Sequence, residues 1–136
     1  MSTNIRIQGE KSLETSMVPY AIFEGEILLH LSALAKHSKN IDVSPNIGLM
    51  ICTPETKGES PLSLPRISFQ GEMQKVHGNN LVEAKNAYLA RVPDAESLFS
   101  FPDFTLYRLS INDIFWVGGF GKARKVSIDS WRSLLC

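Results

Sequence analysis

The stretch from Glu24 to Pro45 constrains the fold more than any other part of this chain. Glu24-Gly25-Glu26 is a hairpin turn signal, and it opens onto an apolar strand at residues 27–31. That strand runs straight into Ser32 and then a brief polar helix, about residues 33–42, that ends near Pro45. The helix carries His37, Ser38, Lys39 and Asn40 on consecutive positions. Hydroxyls, an imidazole and an ammonium at a strand–helix junction suit a phosphate, and the free N–H groups and dipole there favour an anion. The competing reading is a polar surface helix that follows a strand.

The remaining pattern is mostly strands. Residues 5–8 and 14–23 read as strands, and in the second Ser16, Val18 and Tyr20 share a face. Pro19 within it implies an edge or a bulge. Residues 46–53 form an apolar, central strand, 54–65 a loop, and 66–76 an alternating strand. Leu81, Ala84 and Tyr88 recur at helical spacing within 80–92, and Asp94 is placed to cap a short helix over 95–100. Strands at 104–111 and 114–118 and a helix at 127–135 complete the chain. Strands with helices slotted between hairpins predict a mainly β fold, a small antiparallel barrel with peripheral helices, in one domain over 1–136.

Composition narrows the partners. Fourteen basic and 14 acidic residues give zero formal charge, so no basic stripe argues for nucleic acid. No apolar run approaches the roughly 18 residues needed to span a bilayer, and the first residues lack a signal-peptide pattern. Cys52 lies in an apolar run and reads as a small core residue, while Cys136 is the last position. Two such cysteines make neither a disulfide framework nor a zinc site, which predicts no bound metal and a reduced, cytoplasmic protein. Gly118-Gly119-Phe120-Gly121 is a tight turn and no dinucleotide fingerprint. His30 reads as a packed residue and His77 as an exposed turn residue; Trp116 and Trp131 read as core or interface aromatics.

Six segments, in order, resemble the flavin-binding split barrels related to pyridoxamine-phosphate oxidase. They are Ser16-Met17-Val18-Pro19-Tyr20, the run from Leu31 to Asn40, Ser44-Pro45, Pro65 to Gly71, Tyr88 to Ala95, and Asp103 to Leu109. The closing Val117 to Ala123 resembles the haem-utilisation branch in particular. The resemblance implies a six-stranded antiparallel Greek-key split barrel that forms a homodimer, with FMN in clefts at the interface. It places Met17, Val18 and Pro19 along the flavin ring and Ser32 at the end of a cofactor-facing strand. It places Lys36, His37 and Ser38 on the phosphate, and Arg66 where the oxidases use a flavin-contacting glutamine.

Some positions depart from that pattern. Ser16 stands where the oxidases use an arginine, and their substrate-binding arginine and histidine have no counterpart. The second domain of the haem-utilisation relatives is expected to be absent. The three histidines are His30, His37 and His77, so the C-terminal histidine ligand of haem-degrading relatives has no equivalent. Three functions follow: an FMN-dependent oxidoreductase of open substrate and electron donor, a haem- or flavin-binding protein without turnover, or a cofactor-free dimeric module. On dimerisation Trp116 and Phe120 should become buried.

Overall fold

The computed structural model describes residues 1–7 and 10–135; Cys136 and Gln8, the last position of the first expected strand, lie outside them. Among the described residues eight strands form one antiparallel sheet: β1 (Ser2–Ile7), β2 (Glu10–Thr15), β3 (Ala21–Phe23), β4 (Glu26–Ser32), β5 (Asn46–Cys52), β6 (Arg66–Lys75), β7 (Phe104–Val117) and β8 (Ala123–Lys125). The order is β2-β1-β5-β6-β7-β4-β3, with β8 beside β7. The α-helices among the described residues are α1 (Lys36–Val43), α2 (Asn80–Arg91) and α3 (Ile128–Ser133). No helix among the described residues is long and apolar enough to cross a membrane.

Strand β4 explains the layering. Its side chains alternate between faces, and both faces are buried. Ile27, Leu29 and Leu31 enter the barrel core with Ile47, Leu49, Phe69, Leu109 and Ile114. Leu28 and His30 point the other way, where Leu28 packs with Ala84, Tyr88, Ala95 and Leu106. A buried side chain such as Leu29 contributes about 1.5–3 kcal/mol relative to exposure. The turn into β4 has positive φ at both Glu24 (52°) and Gly25 (79°), which matches the twist of the strands it joins.

Three elements are built differently from the sequence reading. The expected strand 14–23 is broken: β2 stops at Thr15, residues 16–20 belong to no strand, and β3 begins at Ala21. Pro19 has no N–H to give a ladder, and Ser16 closes the strand by pairing with Met1 instead. Val18 and Tyr20 still pack against the core, so the alternation survives without the pairing. The expected strands 104–111 and 114–118 are one strand, because Gln70 pairs Asp113 and Gly71 pairs Ile111, leaving Asn112 as a bulge. Pro93–Ser100 is a 3₁₀ helix with Val92 at its N-cap, and Asp94 is inside it rather than capping it.

Cys52 is exposed, which corrects its assignment to the core. β5 is central, but it buries only alternate residues, Ile47 and Leu49; Met50 and Cys52 lie on the opposite face.

The outward-facing His30 packs against Phe99 with parallel rings 3.7 Å apart, and touches the edges of Tyr88. Its Nδ1 is buried with no hydrogen-bond partner. Burial, and then the Lys85 ammonium, lower its pKa. Neutral His30 therefore stabilises the fold fully above pH about 6.5, and that contribution is lost as pH falls through the lowered folded value. Replacing His30 by phenylalanine should flatten the fall in unfolding free energy between pH 7 and 5, read from urea titrations at each pH. An unchanged slope would remove His30 from the acid response.

Candidate functional site

The eight residues singled out from sequence do not converge on one cavity. Lys36, His37 and Ser38 open α1, whose N-cap, Ala35, offers no side-chain oxygen. The helix lies against β1 and β2, and Glu14 of β2 faces it. The Glu14 carboxylate is 3.8 Å from the Lys36 ammonium and accepts from Asn40 Nδ2 at 3.0 Å. Asn40 Nδ2 also lies 3.0 Å from Thr3 Oγ1. A carboxylate beside the lysine works against a dianion at the same place. His37 has its pKa lowered by burial; Glu14 pulls it up, and the chain's N-terminal ammonium pushes it down again. Ser38 is buried, and its Oγ has no partner.

Ser32 is engaged within the fold. Its Oγ donates to Asp103 Oδ2 at 2.9 Å and accepts from Leu34 N–H at 3.2 Å, which fixes the exit from β4. In the segment before β3, Met17 is almost fully exposed, Pro19 is exposed, and Val18 packs on the core.

Arg66 is placed differently. It lines a cleft of about 670 Å³ between the ends of β5, β6 and β8 and helix α3, with Tyr20, Cys52, Trp116, Arg124 and Trp131 among its walls. That volume is within the roughly 300–1,000 Å³ usual for small-molecule sites. Ile67, Trp116 and Arg124 are partners across β6, β7 and β8, so they share one face and form its floor. Arg124 sits 5.3 Å above the Trp116 ring. Arg66 Nη1 donates to the Leu64 carbonyl at 3.3 Å. The far wall is α3, capped by Ser127 and tied down by Trp131, whose Nε1 donates to the Gly25 carbonyl at 2.8 Å. Among the described residues that line the cleft there is no aspartate, glutamate or histidine. His30, His37 and His77, the candidate haem ligands in the sequence, all lie elsewhere.

Sequence reasoning missed this cleft because it missed β8. The turn was recognised: Gly119 and Gly121 have φ of 120° and 73°, and Gly118 N–H bonds the Lys122 carbonyl at 2.8 Å. β8 is only Ala123-Arg124-Lys125, two of them charged, and gave no apolar signal, although a glycine turn following a strand is itself the mark of a hairpin. Among the described residues no cluster of three or more His, Cys, Asp or Glu is placed to hold a metal.

Comparison with known proteins agrees with this architecture. The family described as CREG, beta-barrel, matches residues 3–133. The haem oxygenase HutZ of Vibrio cholerae is 29% identical over 121 residues, covering 82% of this chain and 67% of HutZ. A haem-binding protein of Mycobacterium smegmatis superposes with a TM-score of 0.85 at 24% identity, over 97% of this chain; this chain spans 53% of it. A Listeria innocua protein named for pyridoxamine 5′-phosphate oxidase superposes with a TM-score of 0.60 at 8% identity, covering 87% of this chain and 86% of its own. The split-barrel resemblance stands, with the haem-utilisation branch as its nearer side. The expectation of FMN does not: the relatives whose names state a ligand name haem, and none names a flavin.

Proposed function

This chain belongs to the CREG β-barrel family, and from that premise we propose that it binds haem as part of haem handling, without turning it over. The observation that supports this best is the cleft beneath α3. It is large enough for a cofactor, floored by Ile67 and Trp116 and walled by Trp131, and its described lining residues include no carboxylic acid or imidazole side chain that would serve as an acid or base. The donor set suits the group. Aromatic and aliphatic walls take the ring, and Cys52 and Tyr20 supply a thiol and a phenol, two side chains known to meet haem iron. Bound haem would supply the iron chemistry; the chain's residues hold and shield it. A cytoplasmic setting, where an exposed thiol stays reduced, fits the reading.

Haemin added to the purified protein should give a saturable Soret change with one site per chain. A spectrum that only scales with free haemin would dismiss the proposal.

We also propose a two-fold homodimer as the working unit. On the outer face of the sheet Met50 and Phe115 flank Ser68 in register, and they are 59% and 45% exposed; Phe120 is 79% exposed. Apolar side chains grouped in this way favour a self-complementary contact. Sedimentation velocity at micromolar concentration should give a dimer, and Phe115→Lys should give a monomer. A monomeric native protein would refute this.

A further inference from the structure

We infer that Tyr20 supplies the axial oxygen ligand for haem iron in this cleft, with the Arg91 guanidinium held beside its ring. The inference rests on the haem reading above and adds to it the side chain that meets the metal.

Haem iron is held in proteins by imidazole, thiolate, thioether or phenolate. Among the described residues that line the cleft there is no histidine and no methionine, which leaves Cys52 and Tyr20. Register separates the two. Ile51 pairs with Ile67 and Cys52 with Arg66, on successive positions, so Ile51 and Cys52 take opposite faces of the sheet. Ile67 and its partner Trp116 form the floor of the cleft, and Ile51 shares their face and packs on the barrel core. Cys52 is on the other face, at the end of β5, and is exposed. Tyr20 is half-buried and packs on the same core cluster as Ile51 and Ile67, so it belongs to the side the ring would occupy.

The segment that carries Tyr20 is tied at both ends. Ser16 N–H donates to the Met1 carbonyl at 2.9 Å, and Ala21, the next residue after Tyr20, pairs with Leu28 in the β3–β4 ladder. Pro19 fixes φ immediately before it. A ligand held in place before the metal arrives loses little freedom on binding it. Arg91 is the second observation. It ends α2, and its guanidinium carbon lies 5.9 Å from the centre of the Tyr20 ring. The ring's negative face attracts that cation. When the phenol gives its proton to solvent and binds ferric iron, the side chain becomes an anion, and its attraction to Arg91 grows. Cys52 has no such cation over it in the register, where Arg66 donates to the Leu64 carbonyl instead.

The test compares haemin with protoporphyrin, which keeps the ring and lacks the iron. Resonance Raman spectra of the haemin complex should show phenolate bands that shift when the protein is made with ring-deuterated tyrosine. Tyr20→Phe keeps the ring and its packing and removes only the oxygen. It should abolish those bands and lower haemin affinity roughly tenfold or more, while protoporphyrin affinity stays within about threefold. The midpoint potential of the bound iron should rise in Tyr20→Phe, because an anionic ligand stabilises the ferric state. Arg91→Met should weaken haemin binding in the native background and have no further effect in Tyr20→Phe. Cys52→Ser should leave spectrum and affinity unchanged. A native haemin complex without phenolate bands overturns the assignment while leaving the haem reading intact, and that measurement needs no variant to fold. Phenolate bands that survive in a folded Tyr20→Phe protein, or a spectrum that changes in Cys52→Ser instead, overturn it as well. Failure of haemin and protoporphyrin alike to bind the native protein would overturn the haem reading itself, and the axial assignment with it.

Discussion

Replacing Gly71 by alanine should destabilise the protein by about 3 kcal/mol, the upper end for overpacking a well-filled site. Gly71 lies at the β6–β7 bulge, close against the β7 backbone at Ser110. A Cβ there would fall inside the contact distance of the Ser110 carbonyl oxygen, 2.9 Å from its carbon and 3.0 Å from Leu109 Cδ1. Ser110 is backbone within a ladder, and Leu109 is fully buried, so neither can swing aside cheaply. In urea, with a slope of about 1.5 kcal/mol per molar, the midpoint should drop by roughly 2 M. Gly48→Ala on the neighbouring strand is the control. Nothing lies within 4 Å of its Cβ, so its midpoint should hold or rise slightly. If the two variants unfold alike, the bulge is not a close approach.

Trp131→Ala should cost about 3–5 kcal/mol, the usual range for emptying a large aromatic from a core. Trp131 closes the barrel core edge-on to Phe69, with ring centres 5.0 Å apart, and its indole N–H satisfies the Gly25 carbonyl. The same side chain is a wall of the cleft, so haemin affinity should fall with stability. Trp131→Phe separates the two effects: it keeps most of the packing, and losing the hydrogen bond costs about 1–2 kcal/mol. Thermal unfolding ranks the three proteins, and haemin titration below the transition measures the cleft. A Trp131→Ala protein within 1 kcal/mol of native would mean that α3 does not help hold the barrel together.

What could be read in the sequence follows a physical division. Elements whose order comes from local pattern were visible: the Glu24–Gly25 turn, the apolar β4, and the helix carrying Ala84 and Tyr88. Errors arose where pairing overrode pattern. Asn112 and Asp113 look like a turn, yet β6 runs beside them and makes them a bulge in one long strand. Cys52 sits in an apolar run, but only register decides which alternate residues face inward. Of the candidate site, Arg66 was found, whereas Arg124, Cys52 and the tryptophan walls were not assembled around it. Those residues come from positions 20 to 134, and only the tertiary fold brings them together. The polar helix at residues 36–40 gave the strongest local signal, but it had already found a partner in Glu14, distant in sequence.

The hydrogen bond from Trp131 to Gly25 joins residues 106 positions apart. During synthesis the first wall of the cleft, Tyr20, leaves the ribosome long before β8 and α3 exist. A nascent chain can pair β3 with β4, but the pocket stays open until residues 123–133 emerge and dock. Capture of a ligand in this cleft would therefore wait until β8 and α3 have docked. A truncation before β8 should still be made, yet have no closed place to hold a ring, which would tie any ligand loading to the docking of α3.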